Sequence, residues 1–285
     1  LNPSLERQIE LYYADDYNHP LFGFQISNLT EDFWIHGNDR IYSKASWDGA
    51  PIVNIKYKLI FFTIPRVGDM IWKQAFRRME GLLDWNETGG PKGLPHNPER
   101  NGLKYLYHFH PNEAEKMIKD PTWTKAIFLR NPRDRFLEVF QHLSTHPQEI
   151  QRQCCPEHPG CEMLRDSILR MVDLSLRCKS EQWNLQSHRM EPKYWEYVSF
   201  MGSMETFQED AQRLLQQVGA WDEIGASGWG PDGKNSIFAE WMARSTTGIN
   251  LTKEPISYAD LEKNLLDEIY KEDLRNPRFR FSTTK

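Results

Sequence analysis

Two short apolar runs, each followed at once by a helix pattern, constrain this chain most. The first lies in "YKLIFFTIPRVGDMIWKQAFRRMEG": Leu59 to Ile64 are apolar or β-favouring and stop at Pro65. A turn through Gly68 follows, then "DMIWKQAFRRMEGLLDW", with Ile71, Ala75, Met79 and Leu82 on one helical stripe. The second is "TKAIFLRNPRDRFLEVFQHLS", a buried-type strand and then a helix opened by Pro132, where a missing N–H costs nothing. "YVSFMG" is a third strand run, and "METFQEDAQRLLQQVGAW" is the helix behind it. Strands alternating with helices predict an α/β fold around a central, mostly parallel sheet flanked by helices.

The rest of the chain is read around this frame. "ERQIELYYADDY" predicts a short helix stopped at Pro20, and residues 25 to 55 read as mostly irregular. Residues 86 to 103 form a loop rich in Gly, Pro and Asn. "PNEAEKMIKDP", "CEMLRDSILRMVDLSL" and "YADLEKNLLDEIYKEDL" predict further helices. The pattern Y-x-x-D-x-x-x-P-x-F-x-F occurs twice, at 13 to 24 and at 270 to 281. Two independent aromatic tails would explain it, as would the end of a related preceding domain.

Both strand–loop–helix units suit an anion. A helix N-terminus presents unpaired N–H groups and the positive end of the macrodipole. In the first unit Arg66 adds a planar fork of donors and Lys73 a point charge one turn into the helix. A plain crossover, with Asp69 as a cap, is the competing account. In the second unit Arg130 ends the strand and Arg133 and Arg135 follow. There the competing account is a surface cluster paired with Asp134 and Glu138.

Composition excludes other classes. The net charge of −5 argues against general nucleic-acid binding. No apolar stretch approaches the roughly 18 residues of a membrane span. The chain starts at Leu1 without a signal-peptide pattern, so a trimmed piece of a longer protein is expected, with any membrane anchor in a segment outside it. Cys154, Cys155, Cys161 and Cys178 cluster, which suggests one or two disulfides. Zinc with His158 is the alternative, although the spacing fits no standard zinc pattern. Sequons at Asn28, Asn86 and Asn250 lean with the cysteines toward a secretory lumen. The G-x-x-x-x-G-K-[ST] loop of nucleoside-triphosphate hydrolases and kinases is absent.

"TIPRVGDMIWKQ" and "FLRNPRDRFLEVF" together resemble the two signature segments of the sulfotransferase family, P-K-x-G-[CS]-[TS]-x-x-K and R-[DN]-P-x-x-R-x-[LV]-S. The Golgi carbohydrate branch fits best, and the chain looks like an algal-type relative within it. The resemblance continues through "CCPEHPGC", "KYWEYVSFMGSMETFQEDAQRLLQQVGAW" and "YKEDLRNPRFRF", over about residues 55 to 281. It implies a P-loop-like sulfotransferase domain at 55 to 285, preceded by an N-terminal helix and irregular extension at 1 to 54.

The resemblance also implies the chemistry. The co-substrate would be adenosine 3′-phosphate 5′-phosphosulfate, with no metal. The acceptor would be a hydroxyl or amine of a carbohydrate or small molecule. Arg66, Gly68 and Lys73 would hold the 5′ side of the donor and Arg130 the 3′-phosphate. Candidates for the base that takes the acceptor proton are His108, His110 and Glu113.

The departures fall on working positions. Arg66 replaces the family lysine, Asp69 the cysteine or serine, and Met70 the hydroxyl residue of the first segment. Glu138 replaces the serine that bonds the 3′-phosphate, and Gln182 replaces the histidine of an H-W segment. A carboxylate about 5 Å from a phosphate, at an effective dielectric of about 20, costs roughly 3 kcal/mol per pair of like unit charges. A non-catalytic relative, acting as a binding module or assembly subunit, is therefore the alternative.

Overall fold

The computed structural model describes residues 39–42, 50–88, 93–146, 154, 168–178, 180–237, 239, 260–279 and 281. The expected N-terminal helix, the first copy of the repeated pattern and the sequons at Asn28 and Asn250 lie outside these residues. Contacts divide the chain after Asp39, and Arg40–Lys285 form one compact unit.

Five strands make one sheet: β1 (Ile52–Asn54), β2 (Leu59–Phe62), β3 (Lys104–Tyr105), β4 (Thr124–Leu129) and β5 (Phe200–Ser203). Their spatial order is β3-β1-β2-β4-β5. The sheet is mixed. β2, β4 and β5 run parallel, with Phe62 opposite Ile127 and Leu129 opposite Ser203. β1 is antiparallel to both β2 and β3. The parallel part holds the three strands read from sequence, and the antiparallel part holds the two that were not. Ile52–Asn54 falls in a stretch read as irregular and is too short to show a period. It is nevertheless fully buried and joins β2 through a tight turn in which Lys58 N–H donates to the Ile55 carbonyl.

Helices α1 (Asp69–Met79), α2 (Pro111–Lys119), α3 (Pro132–Thr145), α4 (Ile168–Arg177), α5 (Phe207–Gln217), α6 (Asp260–Ile269) and α7 (Lys271–Arg275), with short 3-10 and π segments, complete the described elements. α1 ends earlier than its apolar stripe suggests, because Gly81 takes φ +74° and the chain turns away. The sequence pattern for one long C-terminal helix resolves into α6 and α7, which meet at Tyr270.

β2 is buried along its whole length, and β4 from Lys125 onward, as expected for strands covered on both faces. An aromatic cluster binds the sheet to its helices. Phe61 lies 4.6 Å from Trp72, Trp72 5.1 Å from Phe128, and Phe128 5.4 Å from Phe207. Gly202 admits the Phe128 ring, since a Cβ there would stand 2.4 Å from it. A second core joins α3, α4 and α6 through Phe136, Val139, Met171, Leu266 and Tyr270. The Cys154–Cys178 disulfide packs beside it.

Candidate donor site

β2 and β4 are parallel neighbours, so the loops after them leave the same end of the sheet side by side. In an open α/β sheet this carboxyl end is where ligands gather. The loop after β2 is Thr63–Gly68. β2 ends at Phe62, earlier than the apolar run, Val67 N–H closes a turn on the Ile64 carbonyl at 3.1 Å, and both Arg66 (φ +68°) and Gly68 (φ +67°) are left-handed. Gly68 is required twice over. Its φ disfavours a side chain, and a Cβ would lie 2.8 Å from Phe207. Gly68 is also the N-cap of α1 and, having no side chain, supplies no cap of its own to the N–H groups of that first turn.

Asp69 does not cap the helix. Its Oδ1 turns back to accept the Arg66 backbone N–H at 3.1 Å. A carboxylate thus sits on a donor of the very loop expected to take a phosphate. Arg66 Nη2 donates to Gln182 Oε1 at 3.3 Å, which brings the residue in place of the family histidine to the same mouth. Lys73 is wholly buried, with Nζ 3.0 Å from His96 Nδ1, and His96 Nδ1 lies 3.8 Å from Asp69 Oδ2. An ammonium only donates. In this contact, then, Lys73 Nζ donates and His96 Nδ1 accepts.

The second half of the site is built on β4 and α3. Arg130 follows β4 directly, and its Nη1 donates to the Arg66 carbonyl at 3.3 Å. The same guanidinium pairs with Glu138 on the second turn of α3. Burial pushes the Arg130 guanidinium below arginine's ordinary range, while Asp134 and Glu205 oppose that shift. Burial raises the Asp134 carboxyl in turn. For Arg130, then, the carboxylate-paired account of the second unit holds.

Arg133 and Arg135, the other arginines of that unit, serve other ends. Arg133 pairs with Asp267 of α6. Arg135 is buried and donates to the carbonyls of Pro65, Asn184 and Glu181 at 3.1, 2.7 and 2.5 Å. It ties the first loop to the 181–184 segment rather than facing a ligand.

A supporting layer was not legible beforehand. Gln186 clamps the Arg130 backbone, taking its N–H at 3.0 Å and donating to its carbonyl at 2.8 Å. Asp273 of α7, wholly buried, accepts the N–H groups of Gln186 and Ser187 at 2.7 and 2.8 Å. The Asp of the repeated Y-x-x-D pattern is the only sequence signal that could have pointed here. Nothing marked Gln186 or His96.

The structure thus brings Arg66, Gly68, Lys73, Arg130 and Glu138 to one end of the sheet. His108 and His110 follow β3, which runs in the same sense as β2, so they emerge at that end too. There they act as caps: His108 Nδ1 accepts the Tyr105 N–H at 3.2 Å and His110 Nδ1 the Asn112 N–H at 3.3 Å. Glu113 lies in the first turn of α2 and is exposed. A cavity of about 370 Å³ lies at the ends of β4 and β5, lined by Leu129, Ser203, Thr206, Asp210, Arg213 and Arg278 among others. Among the described residues no group of three or more His, Cys, Asp or Glu is arranged to hold a metal.

The model of the sulfotransferase family matches residues 51–279, which contain both loops. This chain belongs to the sulfotransferase family. It is 26% identical to human carbohydrate sulfotransferase 9 over 198 residues, 60% of this chain and 41% of that protein. It is 25% identical to human carbohydrate sulfotransferase 10 over 185 residues, 58% of this chain and 51% of that protein. Human carbohydrate sulfotransferase 14 is also 25% identical, over 182 residues, 59% of this chain and 46% of that protein. The chain spans about half the length of the curated relatives it matches. No solved structure matches it. The β2 and β4 loops carry the two segments read above as resembling the family's signatures; of the five departures, Arg66 lies in the first loop, Asp69 and Met70 in the first turn of α1, Glu138 on α3, and Gln182 beside Arg66.

Proposed function

We propose that this sulfotransferase-family chain transfers a sulfuryl group from a nucleotide 5′-phosphosulfate to a hydroxyl of a carbohydrate. The donor that the family implies is adenosine 3′-phosphate 5′-phosphosulfate. One observation carries the reading: the Arg66 loop and Arg130 stand on neighbouring parallel strands and touch through the Arg130 Nη1–Arg66 carbonyl bond of 3.3 Å. Two arginines and the uncapped start of α1 then address one small anionic ligand.

In-line transfer needs little covalent work from the protein. Positioning and stabilisation of the departing phosphate carry most of the rate. Arg66 and the first N–H groups of α1 would hold the 5′-phosphate, with Lys73 beneath them as a buried positive charge. His96 suits donation through Nε2 better than proton removal, because the Lys73 ammonium occupies Nδ1. The acceptor proton would go to Glu113, exposed in the first turn of α2 at this end of the sheet, since His108 and His110 spend Nδ1 on backbone N–H groups as His96 spends it on Lys73. The disulfide and the exposed sequon at Asn86 support a secretory, Golgi-type lumen.

A non-catalytic role finds its support in Asp69 and Glu138, which set negative charge at both phosphate positions. Thermal unfolding with millimolar adenosine 5′-phosphate or adenosine 3′,5′-bisphosphate decides between the two. A nucleotide at 100 times its Kd stabilises by about 2.7 kcal/mol. A rise in Tm with either nucleotide, absent in Arg130→Ala, supports a donor site. No rise with either overturns it.

A further inference from the structure

We propose that Glu138 makes this chain read the nucleotide's ribose 3′ position as a hydroxyl rather than a phosphate. The inference rests on the donor-site reading above and names the donor's class: a 5′-activated nucleoside with an unphosphorylated ribose.

The guanidinium that a 3′-phosphate would need is already engaged. Arg130 pairs with Glu138 and with the Arg66 carbonyl. Among the described residues the other arginines of α3 do not relieve it, because Arg133 is drawn to Asp267 and Arg135 is spent on three carbonyls. The surrounding charge is also of the wrong sign. Glu138 on α3 touches Arg130, and Asp134 on α3 and Glu205 after β5 add their negative fields, against Arg130 and Arg66. Glu205 is held in place, since its Oε1 accepts the Asn131 N–H at 3.0 Å.

A phosphate entering here would meet like charge, worth roughly a hundredfold in affinity for each unit pair about 5 Å apart. A hydroxyl meets the opposite. It donates, and a carboxylate pinned by arginine still has lone pairs to accept. Dinucleotide-binding folds separate their two cofactors by the same chemistry, with a carboxylate for the free ribose hydroxyl and an arginine for the phosphorylated one. Here arginine is present but neutralised, so the carboxylate decides.

Calorimetric titration of the purified chain with adenosine 5′-phosphate and with adenosine 3′,5′-bisphosphate tests this. The wild-type chain is expected to bind the monophosphate at least as tightly as the bisphosphate. Glu138→Ser is expected to shift the ratio ten- to a hundredfold toward the bisphosphate, and the isosteric Glu138→Gln to shift it in the same direction by less. A tenfold or greater preference of the wild type for the bisphosphate, or a ratio unmoved by both substitutions, overturns the inference and leaves the donor site standing. Failure of all three proteins to bind either nucleotide overturns the donor site and the inference together.

Discussion

Arg130 holds the backbone of Arg66: its Nη1 donates to the Arg66 carbonyl at 3.3 Å, across the gap between two neighbouring strand ends. That bond helps keep a non-glycine residue at φ +68°, a conformation L-residues avoid by about 1–2 kcal/mol. Arg66 therefore stands against its own backbone preference, held at its carbonyl by Arg130 and at its N–H by Asp69.

Arg66→Gly separates these effects. The variant is expected to be as stable as the parent or up to about 1 kcal/mol more stable, because the strain is removed although the Gln182 contact is lost. Nucleotide affinity is expected to fall at least about tenfold with the loss of a charge-assisted contact. Urea unfolding read beside calorimetry gives both numbers.

Gly68→Ala is expected to destabilise the chain by about 2–4 kcal/mol, combining a left-handed alanine with overpacking. The new methyl would press on Phe207 Cζ at 2.8 Å. Phe207→Leu in the same chain should recover the packing share and leave the backbone share. A double-mutant cycle measured by urea unfolding reads the split.

Arg135→Met keeps volume but strands three carbonyls, those of Pro65, Asn184 and Glu181. A loss of about 3–5 kcal/mol is expected, and Arg135→Lys should restore only part of it, since a point ammonium cannot span the fork. Chemical unfolding of the three proteins orders them.

Lys73→Met should leave stability within about 1 kcal/mol, because a buried ammonium contributes little net folding energy. Sulfuryl transfer is expected to fall about a hundredfold or more. Single-turnover transfer, set beside calorimetric unfolding, tells a catalytic loss from a structural one.

Reduction of Cys154–Cys178 opens a loop of sequence separation 24. Loop-closure entropy places the loss at about 3.5 kcal/mol. The second core, with Trp183, Leu266 and Tyr270, is expected to loosen first. Hydrogen exchange with and without reductant locates the change.

The parallel half of the fold was legible because β2, β4 and β5 each carry a dense apolar run and a helix behind it. β1 and β3 were not, since strands of three and two residues take their identity from neighbours rather than from a pattern. Arg66, Gly68, Lys73 and Arg130 stood out because chemistry and spacing agree there. Side-chain direction was the missing information. Nothing in the order of residues says that Asp69 bends back to the Arg66 N–H, that Arg135 turns inward, or that Gln186 grips both sides of the Arg130 peptide. Those choices are settled by packing between segments far apart in the chain.

The parallel pairing of β2 with β4 acts as a ruler. Adjacent strands stand about 4.8 Å apart whatever side chains they bear. Replacing a residue at either mouth can therefore change what is gripped, while the span between the two grips stays set by the main-chain lattice beneath them. A lineage built on this frame can exchange one small doubly functional ligand for another of equal length by altering a few side chains, without rebuilding the domain.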